Sequence, residues 1–207
     1  TMNADGSNPL QLTHGLADAS SPSYSPDGNS IVFVVDQNQI RRIWVMDKSG
    51  NGAHAITPPY GKEDFSPAWS PDGQKIVFVS LKKGDRELYI MNRDGSNPVQ
   101  LTQGLGNTGG KCSWSPDGNL IAFYAGQPTH HQIYTIHPDG SDLRAITTRG
   151  NNLAPSFSPD GQWITFTSYQ LPDLTNYPEI WIMHPDGSGS IRLTAGRRVN
   201  WQPSWGR

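Results

Sequence analysis

An all-β propeller of four-stranded antiparallel blades is the architecture this sequence predicts, with four complete blades and a partial fifth in one domain over residues 1–207. Two observations carry that expectation. A cassette of the form P-x-aromatic-S-P-D-G-x-x-I-x-F, then I-[WY]-x-M-[ND]-x-D-G-S, then [LI]-T, recurs along the chain. Its inner aromatic falls at Tyr24, Trp69, Trp114, Phe157 and Trp205, in steps of 45, 45, 43 and 48 residues, and a period near 45 belongs to propeller blades. The turn glycine of the second half, at Gly6, Gly50, Gly95, Gly140 and Gly187, keeps the same beat.

Each cassette reads as four short strands, because apolar and polar residues alternate and every segment stops at turn residues. Strand A ends in the aromatic. Strand B carries the pairs Ile31/Phe33, Ile76/Phe78, Ile121/Phe123 and Ile164/Phe166, which share one face at period two and predict one buried face per strand. Strand C is the I-[WY]-x-M run and strand D the short L-T. Between A and B, Ser25-Pro26-Asp27-Gly28 and its copies at Ser70, Ser115 and Ser158 put proline where φ near −65° is wanted and glycine where φ turns positive. The D-G between C and D serves in the same way. The fifth blade has an A strand at 202–205, a D strand at 9–13 and the end of a C strand at Thr1-Met2. Pairing the two ends would close a ring and hide its sheet edges. On this reading Thr1 is a truncated start and Trp205-Gly206-Arg207 lies close to a natural end.

Composition narrows the function classes. A formal net charge of −2 and a pI near 6.3 provide no basic field for a phosphate backbone, and no apolar run is long enough to cross a bilayer as a helix, so neither nucleic acid nor membrane insertion is expected. The single cysteine, Cys112, stands in the column of Pro22, Pro67, Pro155 and Pro203 and reads as a buried thiol.

The A-to-B and C-to-D turns are nearly identical from blade to blade, whereas the D-to-A and B-to-C connections, which emerge at the opposite face, differ in length and chemistry. That divergent face is the expected docking surface. Its candidate partner-binding residues are Asp18, Tyr60, Glu63, Asp64, Lys111, Asn151, Asn152, Tyr169, Arg197, Arg198 and Trp201, and the same loops also carry Asn200, Phe65 and Tyr177. Mixed charge with interspersed aromatics suits a protein or glycan surface better than a phosphate clamp.

His137 and His184 occupy the column of Asn3, Asp47 and Asn92, where a short acceptor bonds the following turn, so both read as turn caps rather than zinc ligands. His14, His54 and the pair His130-His131 lack a third ligand at fixed spacing. No cofactor is expected; if a cation binds, Asp18 with Glu63 and Asp64 is the oxygen cluster that would suit calcium. There is no G-x-S-x-G elbow, and a catalytic residue has no reason to recur once per blade as the aspartate of S-P-D-G does.

S-P-D-G after P-x-W, with I-x-F and Y-x-M-N-x-D-G-S to follow, resembles the TolB-type propeller repeat over essentially the whole chain. In that family six blades follow a small α/β domain in the periplasm. The resemblance therefore implies a non-catalytic scaffold that docks a protein or peptide at the mouth of its tunnel, in the periplasm or outside the cell. It adds that the chain is a fragment of a six-bladed ring, although only five aromatic columns stand here. Similar blades precede prolyl-oligopeptidase-type hydrolases and occur in pectic oligosaccharide lyases, so the rival expectation is an enzyme, with Arg197, Lys111, His131 and Tyr169 as its cast, or the propeller of a larger peptidase.

Overall fold

A computed structural model describes residues 1–16, 18–58, 63–81, 84–169, 177–196 and 198–205. Four blades follow in chain order. The first holds β1 (Ala19–Tyr24), β2 (Ser30–Gln37), β3 (Ile40–Asp47) and β4 (His54–Ala55). The second holds β5 (Glu63–Trp69), β6 (Lys75–Leu81), β7 (Arg86–Asn92) and β8 (Val99–Gln100). The third holds β9 (Gly109–Trp114), β10 (Ile121–Gln127), β11 (His130–Ile136) and β12 (Arg144–Ala145), and the fourth β13 (Asn151–Phe157), β14 (Ile164–Tyr169), β15 (Glu179–Met183) and β16 (Ile191–Arg192). Each is an antiparallel meander, and one parallel bridge, Arg41↔Glu63, joins the first two into an eight-stranded sheet.

The B strands are buried on both faces, not on one. Ile76 and Phe78 of β6 pack against Val32, Val34 and Ile43 of the preceding blade, while Val77 and Val79 on the other face pack against Ile121 and Phe123 of the next. Ala122 and Ile133 then meet Ile164 and Phe166. The alternation predicted one apolar face, but a blade inside a stack has two neighbours, so β-branched residues fill the intervening positions as well.

Both turn families form as the sequence implies. In the first, the Gly28 amide donates to the Ser25 carbonyl, the Ser25 hydroxyl to Asp27 and the Asn29 amide to Asp27, and the same set recurs at Ser70, Ser115 and Ser158. In the second, the Gly95 amide donates to the Asn92 carbonyl and the Asn92 amide to Ser96. The threonine of each L-T motif clamps strand D to strand C. Its Oγ1 accepts the amide of Ile43, Leu88, Ile133 or Ile180, at 2.9–3.0 Å.

The terminal segments carry no assigned strand among the described residues, yet they repeat blade geometry. Thr1 and Leu10 exchange both backbone hydrogen bonds at 2.7 Å, in the positions of Ile90 and Val99, and Gly6 donates to Asn3 as Gly95 does to Asn92. Leu12 and Leu16 cover Ile31 and Phe33 of the first blade. At the other end the Trp205 indole donates to the Ser156 carbonyl at 3.1 Å, as Trp114 does to Ala68 at 3.2 Å. Residues 1–13 thus dock on the first blade and 202–205 on the fourth.

Every A strand has a residue in the left-handed region, Ser21, Ser66, Gly110, Ala154 and Gln202, with φ of 48–53°. In four of the five a proline follows, which disfavours right-handed helical φ/ψ in the residue before it. The outcome is a bulge that bends the strand beside the central tunnel.

Candidate functional site

The two faces spend their polar groups differently. On the turn face the carboxylates of Asp27, Asp72, Asp117 and Asp160 each accept a serine hydroxyl and a backbone amide, and these bonds hold their pKa below the ordinary aspartate value. Asp5, Asp94, Asp139 and Asp186 are lowered in the same way by the serine two residues on. Asp47 caps its own turn as expected, accepting the Ser49 and Asn51 amides, whereas Asn3 and Asn92 act as donors, from Nδ2 to the hydroxyls of Ser7 and Ser96 in their own turns. The two histidines of that column do neither. His137 Nδ1 lies 2.8 Å from the Asn119 carbonyl and His184 Nδ1 3.1 Å from that of Gln162, so each ties the C-to-D turn to the A-to-B turn of its own blade. An imidazole reaches further than a carboxamide, and His184 also stacks on Trp163 at 4.2 Å.

On the loop face the predicted residues separate into two groups. Asp64 is buried and accepts the Ser80 hydroxyl at 2.5 Å, while its neighbour Glu63 points the other way and pairs with Arg86 at 3.1 Å, the guanidinium lying over the Phe65 ring. Asn152 is equally buried, held by Ser168, Gln132 and the Arg149 carbonyl. Asn151 Oδ1 meets both the His131 amide and His131 Nδ1 at 3.0 Å. These side chains fasten the starts of β5 and β13 to their surroundings. Asp18 and Arg198 are exposed, and Trp201, half exposed, stands edge-on to Tyr169 at 5.7 Å beside exposed Tyr177 and Val199. Partial burial raises the Tyr169 pKa. Tyr60 and Arg197 lie outside the described residues. Among the described residues no three acidic, histidine or cysteine side chains gather to hold a metal, and Asp18, Glu63 and Asp64 do not form such a group.

Between the two faces β1, β5, β9 and the segment at Gln202 line a half-open cavity of about 370 Å³ on the side where a propeller has its tunnel, reached by Ser21, Ser23, Ser66, Lys111 and Gln202. Lys111 Nζ donates to the Pro203 carbonyl at 2.8 Å. Burial lowers its pKa, and the fully buried Cys112 thiol beside it is pushed up to about 12, so that sulfur stays protonated and inert. Sequence reasoning missed Tyr124. It pairs with Gly109 across the strands, where the other B strands hold Val34, Val79 and Thr167, and it packs edge-on to His131. A large aromatic facing two glycines, in one blade only, was the available signal.

The family model described as the TolB β-propeller domain matches residues 60–168. No curated protein sequence matches the chain. Among solved structures, one from Agrobacterium tumefaciens described as a TolB superposes with a TM-score of 0.78 at 23% identity, over 92% of this chain and 73% of that one. TolB from Acinetobacter baumannii gives 0.79 at 22% identity, over 93% of this chain and 47% of its own. A puromycin-hydrolyzing peptidase from Mycobacterium tuberculosis gives 0.73 at 16% identity, over 89% of this chain and 30% of the enzyme. The chain therefore spans about three quarters of the first protein, under half of the second and under a third of the third.

Proposed function

The chain belongs to the TolB β-propeller domain family, and from that premise we propose that it is a non-catalytic binding scaffold whose loop face docks a protein or peptide. The observation that carries this reading is the half-exposed Trp201 set edge-on to Tyr169, with Val199 and Arg198 exposed alongside. Tryptophan, tyrosine and arginine dominate the energetics of protein interfaces, and an ordered aromatic pair costs little entropy to present. On the turn face the serines, aspartates and amides are consumed locally and Trp163 is stacked on His184, which leaves Tyr24 as its exposed aromatic. Binding at the mouth of a tunnel suits an extended peptide as well as a folded partner; a glycan would use the same aromatics. A periplasmic or extracellular location goes with the reading. No helix among the described residues is long and apolar enough to cross a membrane.

The second reading is the propeller of a larger peptidase, favoured by the superposition on the puromycin-hydrolyzing enzyme. For the lyase, Lys111, His131 and Tyr169 have three separate sets of partners, the Pro203 carbonyl, Asn151 and Trp201.

Capture from cell extract on the immobilised chain tests the docking reading. Trp201→Ala and Arg198→Glu are expected to release the captured partner and to leave the melting temperature unchanged, while Gln162→Ala on the turn face releases nothing. The reverse pattern would assign docking to the wrong face. Oligosaccharide turnover that disappears in Lys111→Met would establish the enzyme instead.

A further inference from the structure

The A strand of the third blade carries one residue more than its siblings. In the first, second and fourth blades, three steps along A face two along B, as in Phe65↔Val79 followed by Ala68↔Val77. In the third, Gly109↔Tyr124 is followed by Ser113↔Ala122, so four steps face two. The strand accommodates the insertion because Gly109 and Gly110 lie against the Tyr124 ring. A Cβ at either would come within 2.4 or 2.5 Å of it. With the bulge pressed against that ring, Lys111 follows Gly110 into the lining of the tunnel cavity.

The ammonium has one hydrogen bond there, to the Pro203 carbonyl of the C-terminal segment, and no ion pair among the described residues. Removing an ammonium from water without a counter-charge is unfavourable, and the lowered pKa of Lys111 expresses that cost, with desolvation as its cause. The other side-chain polar groups at the cavity wall include the hydroxyls of Ser21, Ser23 and Ser66 and the carboxamide of Gln202, all able to donate, and no carboxylate among the described residues lines it. One cation among neutral donors is complementary to a singly charged, planar anion; a phosphate would call for further cations.

We propose that the tunnel cavity binds a carboxylate, with Lys111 as its counter-ion and Ser21, Ser66 and Gln202 as hydrogen-bonding neighbours. The group belongs either to a small organic acid or to the C-terminus of a peptide that enters the tunnel. Only the second source rests on the docking reading; a free acid is held whether or not a protein docks on the loop face.

Lysine side-chain NMR of the intact chain, titrated with acetate, with Gly-Gly-Gly and with the C-terminal amide of the same tripeptide, tests the site. The expected result is a saturable shift of the Lys111 resonance with at least one acid, on the order of thirtyfold weaker for the amide and lost in Lys111→Met. Acetate alone assigns a free acid, the tripeptide alone assigns a chain terminus, and both together assign the carboxylate itself. Bound carboxylate raises the Lys111 pKa, so affinity falls as pH rises through the free-protein value. Absence of a saturable Lys111 shift with either acid up to about 10 mM, or equal binding of acid and amide, overturns the proposal, and the amide comparison needs no variant that could misfold. Trp201→Ala separates this site from docking: it is expected to lose the captured protein and to keep the carboxylate.

Discussion

The turn face and the loop face are built on the same strands and solve opposite problems. On the turn face every copy closes on itself: serine to aspartate, aspartate to amide, glycine to carbonyl, with histidine or lysine tying one turn to the other. On the loop face the equivalent position at the start of strand A is filled by Glu63-Asp64 in one blade, Asn151-Asn152 in another and Asn107-Thr108 in a third, each with its own partners. Repetition marks a geometry that one local solution satisfies everywhere. Divergence marks positions whose neighbours differ, and there the Trp201–Tyr169 pair stands available to something outside the chain, whereas the exposed Tyr24 sits beside a turn of the first blade.

The largest effects are therefore expected where the turn face meets the next blade. Gly95 has φ of 85°, and a Cβ on it would stand 2.1 Å from the Ile56 carbonyl oxygen of the preceding blade; Gly187 faces Ile146 at 2.3 Å in the same way. Gly28 has φ of 69° with nothing within 4 Å. Gly95→Ala combines strain with a backbone clash and should cost about 3–5 kcal/mol, whereas Gly28→Ala pays for the left-handed conformation alone, about 1–2 kcal/mol. Urea melts giving equal losses at the two sites would show that the inter-blade contact adds nothing to the turn.

Next come the buried clamps. Thr102 Oγ1 accepts the Leu88 amide and donates to the buried Glu87 carboxylate, so Thr102→Val strands both groups and should cost about 1–3 kcal/mol. Asp64→Ala, which leaves the Ser80 hydroxyl without its acceptor, belongs in the same range. A loss under about 0.5 kcal/mol at Asp64 would return that residue to the set available for a partner.

Acid should then distinguish the faces without any mutation. The turn carboxylates have folded pKa values depressed by their serine and amide donors, so their contribution is complete above the ordinary value of about 3.9 and is lost as pH falls through the depressed values. Asp72→Asn removes one share. The gap between its melting temperature and that of the unaltered chain is expected to be widest near neutral pH and to narrow below about pH 4. A gap that stays constant to low pH would mean that the carboxylate charge is irrelevant to the turn.

Most of the blade was legible in the sequence because its period and its turns are local. S-P-D-G specifies a hairpin whatever surrounds it, and I-x-F specifies a buried face. What stayed hidden was set by neighbours. The second buried face of each B strand exists because another blade covers it. The extra residue at Lys111 is invisible in the 45-residue step, since Thr57 to Trp69 and Thr102 to Trp114 are equally long and the insertion appears only as a register against Tyr124. For the docking residues, sequence marked the loops but could not tell which side chains turn inward. Adjacent Glu63 and Asp64 read alike, and strand alternation sends one to solvent and the other to Ser80.

That pair supplies the smallest and most discriminating test. Glu63 binds Arg86 with both side chains substantially exposed, 28% and 41%, and such a pair contributes at most about 1 kcal/mol and less at high salt. Glu63→Gln should therefore shift the urea midpoint only slightly, and 0.5 M salt should erase most of that shift, roughly as screening over a few ångströms requires. It also sits where β5 meets β3, at the Arg41↔Glu63 bridge, so a structural role for the loop face would show here first. If Glu63→Gln costs as much as Asp64→Ala, the loop face carries architecture after all and the contrast between the faces fails. If it costs almost nothing while partner capture changes, the exposed half of the pair is part of the docking surface and its buried neighbour is part of the blade.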